Sequence, residues 1–287
     1  MQPRRKFALT LPSSVLILGE RTLIMGILNV TPDSFSDAGR FLDPDRATEH
    51  ALAMQRAGAD LIDVGGESTR PGSSPVSVEE ELSRILPVMK RLRRKLRIPF
   101  SVDTTKAEVA EAAFKAGAEI INDISGLRFD RRLAKVARRH EVPLILCHLR
   151  GTPKTMQTLP PAKNILREVE RGLAWSIQQA AAAGLRRGQL ILDPGIGFGK
   201  TMQQNYELLF RLDRLHKFRL PLLIGTSRKM FIGRTLDNAP PDRRLWGTAA
   251  TVAASILQGV HIVRAHDVAE MAEVARVTDA ILRTARP

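Results

Sequence analysis

Leu23-Ile24-Met25-Gly26-Ile27-Leu28-Asn29-Val30-Thr31-Pro32-Asp33-Ser34-Phe35-Ser36-Asp37 passes from six residues with nothing polar among them to a loop crowded with amide, hydroxyl and carboxylate groups. A buried strand opening into such a loop is costly unless the loop meets a ligand. The pattern repeats. Strand-type apolar runs are predicted at residues 23–28, 61–64, 100–102, 120–121, 144–146, 190–192, 222–224 and 261–263. Between them the helical period predicts helices over 44–57, 78–96, 106–116, 131–140, 164–183, 205–217, 243–257 and 268–283. Gly58, Gly117 and Gly184 stand where three of these helices must stop before the next strand. The alternation implies parallel strands with crossover helices: an α/β fold, a single (β/α)8 TIM barrel, with a doubly wound sheet as the alternative. Residues 1–22, apolar at 7–11 and 15–18, are expected to form a short N-terminal β-hairpin capping the barrel bottom, with residues 23–287 as the barrel.

No Gly/Ser tract or proline-rich linker divides the 287 residues, and 44% apolar content supports one sizeable core. The single cysteine, Cys147, cannot form an intrachain disulfide; this fits a cytoplasmic location and excludes thiolate metal clusters. Arg4, Arg5 and Lys6 before an apolar stretch imitate a secretory signal, but Pro12-Ser13-Ser14 interrupts it and no small-residue cleavage site follows. No apolar run approaches the roughly 20 residues of a membrane-spanning helix, so no membrane partner is expected. The net charge of +14 raises nucleic acid as a partner. However, Lys90, Arg91, Arg93, Arg94, Lys95 and Arg97 crowd one helix end, and Arg131, Arg132, Lys135, Arg138 and Arg139 decorate another, without interleaved aromatics. Solvated helix faces are the better reading, no nucleic-acid partner is expected, and the positive field suits a polyanionic small substrate.

In order, the strand tips are Asn29; Asp63 with residues 65–72; Asp103-Thr104; Asn122-Asp123; His148; residues 193–197; Thr226-Ser227-Arg228-Lys229; and Arg264-Ala265-His266-Asp267. Singly, each has a structural explanation: Asp103 or Asp267 could cap a helix, Lys229 could pair with Asp193, and His148 could be a buried structural histidine. In a barrel they converge on one mouth. Asp103, Asn122 and Asp193 present carboxylate and amide edges suited to a flat heterocycle bearing N–H donors. Arg70, Lys229, Arg264 and His266 are anion-binding types, and strands 7 and 8 are where barrels often hold phosphate. Gly195-Ile196-Gly197-Phe198-Gly199-Lys200-Thr201 imitates a phosphate loop, but Pro194 replaces its first glycine and Asp193 would repel a phosphate.

Taken together and in order, residues 29–37, 62–72, Ser101-Val102-Asp103-Thr104, Ile121-Asn122-Asp123, His148 with Gly151-Thr152-Pro153, residues 193–199, Ser227-Arg228-Lys229, Gly247-Thr248-Ala249-Ala250, and Arg264 with His266-Asp267 resemble the dihydropteroate synthase family of pterin-binding barrels. The resemblance implies a transferase of folate biosynthesis that condenses 6-hydroxymethyl-7,8-dihydropterin pyrophosphate with para-aminobenzoate. It implies that Asp103, Asn122, Asp193 and Lys229 bind the pterin, and that Asn29, Thr69, Arg264 and His266 bind the pyrophosphate, with Mg2+ at Asn29. Asp103, Asp193, Lys229, Arg264 and His266 would carry catalysis. Thr31, Pro32, Phe35, Thr69, Arg70, Pro71 and Met230 would surround para-aminobenzoate, the site at which sulfonamides compete in this family.

The chain departs from the family pattern at Ala38, Cys147, Arg150 and Met230; Met230 replaces a serine associated with the aminobenzoate carboxylate. A homodimer is expected, with Met271, Ala272, Val274 and Ala275 as a possible apolar face. Two alternatives are a barrel transferring methyl groups from a methylated folate, which has no need of a pyrophosphate site, and a non-catalytic nucleic-acid-binding barrel.

Overall fold

The computed structural model describes residues 4–31, 43–70 and 72–284. Ten strands and nine α-helices follow in order: β1 Phe7–Thr10, β2 Val15–Leu18, β3 Leu23–Asn29, α1 Pro44–Arg56, β4 Leu61–Gly65, α2 Val78–Lys95, β5 Phe100–Asp103, α3 Ala107–Lys115, β6 Ile120–Asp123, α4 Arg132–Arg139, β7 Leu144–Cys147, α5 Ile165–Ala182, β8 Leu190–Asp193, α6 Met202–Phe210, β9 Leu223–Ile224, α7 Met230–Thr235, α8 Leu245–Leu257, β10 Ile262–Ala265 and α9 Val268–Thr284. β3 to β10 form one parallel sheet, and a bridge between Leu192 and Leu222 joins β8 to the residue that leads into β9. The sheet is thereby a closed (β/α)8 barrel.

Side-chain alternation divides each strand between two cores. Ile62, Val64, Val102, Ile121, Leu144, Leu146, Leu190, Leu192, Leu222, Ile224 and Val263 point outward and pack among the helices. Met25, Leu61, Ile120, Ile145, Ile191, Leu223 and Ile262 point inward and form a separate apolar cluster with Leu9, Leu11 and Leu18 of the β1–β2 hairpin. The antiparallel hairpin therefore seals the amino-terminal end. Burying each of its leucines is worth roughly 1.5–3 kcal/mol. Two residues further along, the inward position turns polar on four of these strands, at Asp63, Asn122, Asp193 and Arg264, and β5 adds Asp103.

Local signals account for most boundaries. Ser77 accepts a hydrogen bond from Glu80 N at the start of α2, acidic residues fill its first turn, and Arg93, Arg94 and Lys95 fill its last. Gly58, Gly117 and Gly184 take positive φ after their helices.

Three expectations required correction. The helix expected over 205–217 begins earlier, where Thr201 and Gln204 form a capping box, and gives way to a tighter 3₁₀ turn at Leu212–Phe218. A short helix, α7, follows β9 where none was expected. On the last helix, Met271 and Ala275 are buried and Ala272 and Val274 pack against the core, so these four cannot form a free apolar face; Val277 and Ile281 are the exposed pair. No helix among the described residues is long and apolar enough to cross a membrane.

Candidate active site

The inward polar side chains form one connected floor at the carboxyl end of the barrel. Asp63 on β4 has no exposed surface; its carboxylate accepts from Ser101 Oγ, from Asn122 Nδ2 at 2.9 Å and from Arg264 Nε at 2.6 Å. Arg264 Nη2 donates to Asp103 Oδ2 at 2.8 Å. One guanidinium thus serves two buried carboxylates, the geometry in which arginine outperforms lysine. Burial pushes the Asp103 carboxyl up to about 8, the Asp63 charge adds to the rise, and Arg264 opposes it. Burial works against the Arg264 charge, but Asp63 and Asp103 outweigh it and hold the guanidinium more firmly protonated than usual.

Asp193, across the barrel at the end of β8, accepts from Gly195 N at 2.7 Å. Burial raises its carboxyl, with Lys229 opposing. Lys229 donates to Ile196 O and lies 4.3 Å from the Phe198 ring centre. Its charge acts on Asp193, yet its hydrogen bond goes to a carbonyl, so the simple ion pair considered from sequence is not formed. Burial lowers its ammonium to about 8, and Asp193 opposes that. Gly197, at φ +84°, makes room for it, since a Cβ there would lie 2.8 Å from Lys229 Cδ. Arg264 also feels the Asp193 charge, so both sides of the mouth share one electrostatic neighbourhood.

His266 follows β10, with Nδ1 3.0 Å from Ser227 Oγ. Burial, with Arg264 and Arg228 nearby, lowers it to about 3. At that value the ring is neutral at pH 7 and would meet an anion through an N–H rather than through a charge. Asn29 ends β3 half-buried, in register with Gly65. Thr31 is buried. Thr69 is half-buried and Arg70 exposed on the β4–α2 loop; the Arg70 charge reaches His266. That loop is tied down by Gly72 N to Pro153 O at 3.0 Å, and by Lys106 Nζ, which joins Glu67 to the buried Glu81. Met230 is exposed beside Lys229. Pro32, Phe35, Pro71 and Ala38 lie outside the described residues.

Other strand-tip residues have structural work. Asp123 points outward and accepts from Ser125 N and Leu127 N, shaping its turn. Asp267 pairs with Arg228. His148 is buried against Gly172, where a Cβ would lie 2.3 Å from its ring. Lys200 donates to the carbonyls of His148, Gly195 and Phe198, so the phosphate-loop imitation spends its lysine on the backbone. Arg150 pins Gly199 O, Pro160 O and Glu168 together. Sequence reading noted Asp63 at a strand tip but gave it no role. The available signal was its period-two spacing between Leu61 and Gly65, which places it on the inward face.

Among the described residues no three His, Cys, Asp or Glu side chains are grouped to hold a metal ion. Asn29 does offer an amide oxygen at the mouth. One hard oxygen ligand suits Mg2+, which keeps most of its water and takes further oxygens from substrate phosphates.

The sequence pattern of the pterin binding enzymes matches residues 25–266. A dihydropteroate synthase from Synechocystis sp. is 48% identical over 265 residues, covering 92% of each chain. A solved dihydropteroate synthase from Yersinia pestis, in complex with a sulfonamide drug, superposes with a TM-score of 0.91 at 43% identity, covering 96% of this chain and 100% of its own. One from Xanthomonas albilineans, holding 4-aminobenzoic acid, gives a TM-score of 0.90 at 39% identity and covers 97% and 99%. The chain belongs to the pterin binding enzyme family, among its dihydropteroate synthases.

Proposed function

We propose that the barrel mouth condenses 6-hydroxymethyl-7,8-dihydropterin pyrophosphate with para-aminobenzoate, giving 7,8-dihydropteroate and pyrophosphate. The observation that carries this reading is the floor itself: buried carboxylates and an amide interlocked with a guanidinium, with Lys229 across from them. Asp103, Asn122, Asp193 and Lys229 would hold the pterin, whose amino-pyrimidine edge is rich in N–H donors. Arg264, neutral His266, Asn29 and Thr69 would hold the diphosphate.

The bond that breaks joins the methylene carbon to a diphosphate oxygen. Ring nitrogens stabilise the resulting cation, and Asp193 and Asp103 face it, Asp103 gaining its negative charge once the ligand's N–H groups have drawn off the proton that its raised carboxyl otherwise keeps at pH 7. Arg264 supplies fixed positive charge for the departing oxygen. The aromatic amine, already neutral at pH 7, attacks the methylene and then loses one proton to solvent. Mg2+, held by Asn29, would neutralise diphosphate charge when bound. The β4–α2 loop at Thr69, Arg70 and Pro71, with Thr31, Pro32, Phe35 and Met230, would surround the aminobenzoate and keep out water that would otherwise capture the cation.

The Xanthomonas and Yersinia complexes support assigning aminobenzoate and competing sulfonamides to this mouth. The absence of a serine at Met230 predicts weaker binding of both than in relatives that carry one. A cytoplasmic homodimer is part of the same reading, with exposed Val277 and Ile281 as candidates for the surface a second copy would cover. The test is pyrophosphate release with each substrate omitted in turn. Release only when both are present supports the synthase; release driven by neither rejects it.

A further inference from the structure

A carboxylate with no exposed surface and both oxygens engaged cannot touch a ligand, and Asp63 is such a group. With the Arg264 Nε–H directed at it, Oδ2 acts as a hydrogen-bond acceptor. The side of Asn122 facing Asp63 must therefore be its NH2. That makes the amide one-sided: its Oδ1 forms no hydrogen bond among the described residues and is the atom left for a ligand. Register places Asn122 beside Asp103 on neighbouring strands, so two acceptors stand together. Arg264 is fixed by the same group, with Nε on Asp63 and Nη2 on Asp103.

The geometry points to Asp63 as the positioning residue that sets Asn122 as a hydrogen-bond acceptor, so that the mouth selects a heterocycle edge carrying N–H donors. The inference rests on the pterin reading of this site and adds to it a cause for the recognition. Asn122 alone is indifferent, since its amide can present either end. Asp63, one step deeper in the barrel, removes the choice. Reversing the amide would point the Asn122 NH2 at the ligand's N–H, donor against donor, and would leave Asp63 Oδ2 facing the lone pairs of Asn122 Oδ1.

The test is the affinity for 6-hydroxymethyl-7,8-dihydropterin, which lacks the diphosphate and so leaves the anion-binding role of Arg264 aside. Asp63→Asn still offers an oxygen to Asn122 and Arg264, and should bind within about tenfold of wild type. Asp63→Leu offers none and should bind about 100-fold more weakly or worse. Introduced into Asn122→Ala, Asp63→Leu should cost only about threefold, because the residue it acts through is already gone. Equal losses for the Asn and Leu variants, or a Leu penalty that does not shrink in the Asn122→Ala background, would overturn the inference while leaving the pterin reading intact. A wild type that binds no pterin would overturn both. Should the Leu variant not fold, neutron diffraction on the wild-type pterin complex decides: deuterons between Asn122 and Asp63 support the assignment, and deuterons directed at the ligand refute it.

Discussion

Replacing Arg264 with methionine, which is similar in length but uncharged, leaves Asp63 and Asp103 buried without the cation that now sits 2.6 Å and 2.8 Å from their oxygens. Removing one partner of a buried pair typically destabilises a fold by about 3–5 kcal/mol. A pH signature comes with that loss. The Asp103 carboxyl is raised from its ordinary value of 3.8 to about 8, so the folded chain keeps a proton that the unfolded chain has released across that window. Stability therefore falls as pH rises between those limits. Arg264 opposes the rise; without it the carboxyl titrates higher and the window extends upward. The stability gap between wild type and Arg264→Met should be flat below about pH 7 and then widen above about pH 8, by at most roughly 1.4 kcal/mol per unit. Urea unfolding from about pH 6 to about pH 9.5 measures this. A gap that narrows as pH rises would refute the electrostatic account of the floor.

Binding of a ligand whose N–H groups face Asp103 should lower that carboxyl and release a proton near pH 7; calorimetry in buffers of different ionisation enthalpy reads the number, and zero release or uptake would count against the contact. Gly197→Ala places a Cβ 2.8 Å from Lys229 Cδ at a positive φ, and should lower kcat/KM at least about tenfold with a loss of roughly 1–2 kcal/mol in stability. Lys200→Met leaves three carbonyls unpaired and should destabilise by about 3 kcal/mol, while ATP should not raise the melting temperature of the wild type.

The barrel was legible because eight apolar runs alternate with helical periods, and the site because the same runs end in Asp, Asn, Lys and Arg. Spacing could also have separated inward from outward groups: Asp63 and Asn122 share the parity of Leu61 and Ile120, whereas Asp123 falls on the outward face with Ile121. Pairings were not legible. Nothing in the sequence tells that Arg264 rests on Asp63 and Asp103, or that Lys229 donates to Ile196 O, because these contacts depend on how far neighbouring strands are staggered. The low basicity of His266 was hidden for a related reason, since it comes first from burial, which the chain order does not show, and then from Arg264 beside it and Arg228 on the preceding strand's loop. Helix 205–217 was misjudged because apolar spacing continues through Leu212 and Leu215 after the α-helical hydrogen bonding has given way to a tighter turn.

The most direct test of the account is a crystal structure of the chain with the dihydropterin pyrophosphate and Mg2+. It predicts the heterocycle within hydrogen-bond reach of Asp103, Asn122, Asp193 and Lys229, with the diphosphate beside Arg264, His266 and Asn29. A pterin seated away from those four side chains, or a diphosphate held by Lys200, would contradict it.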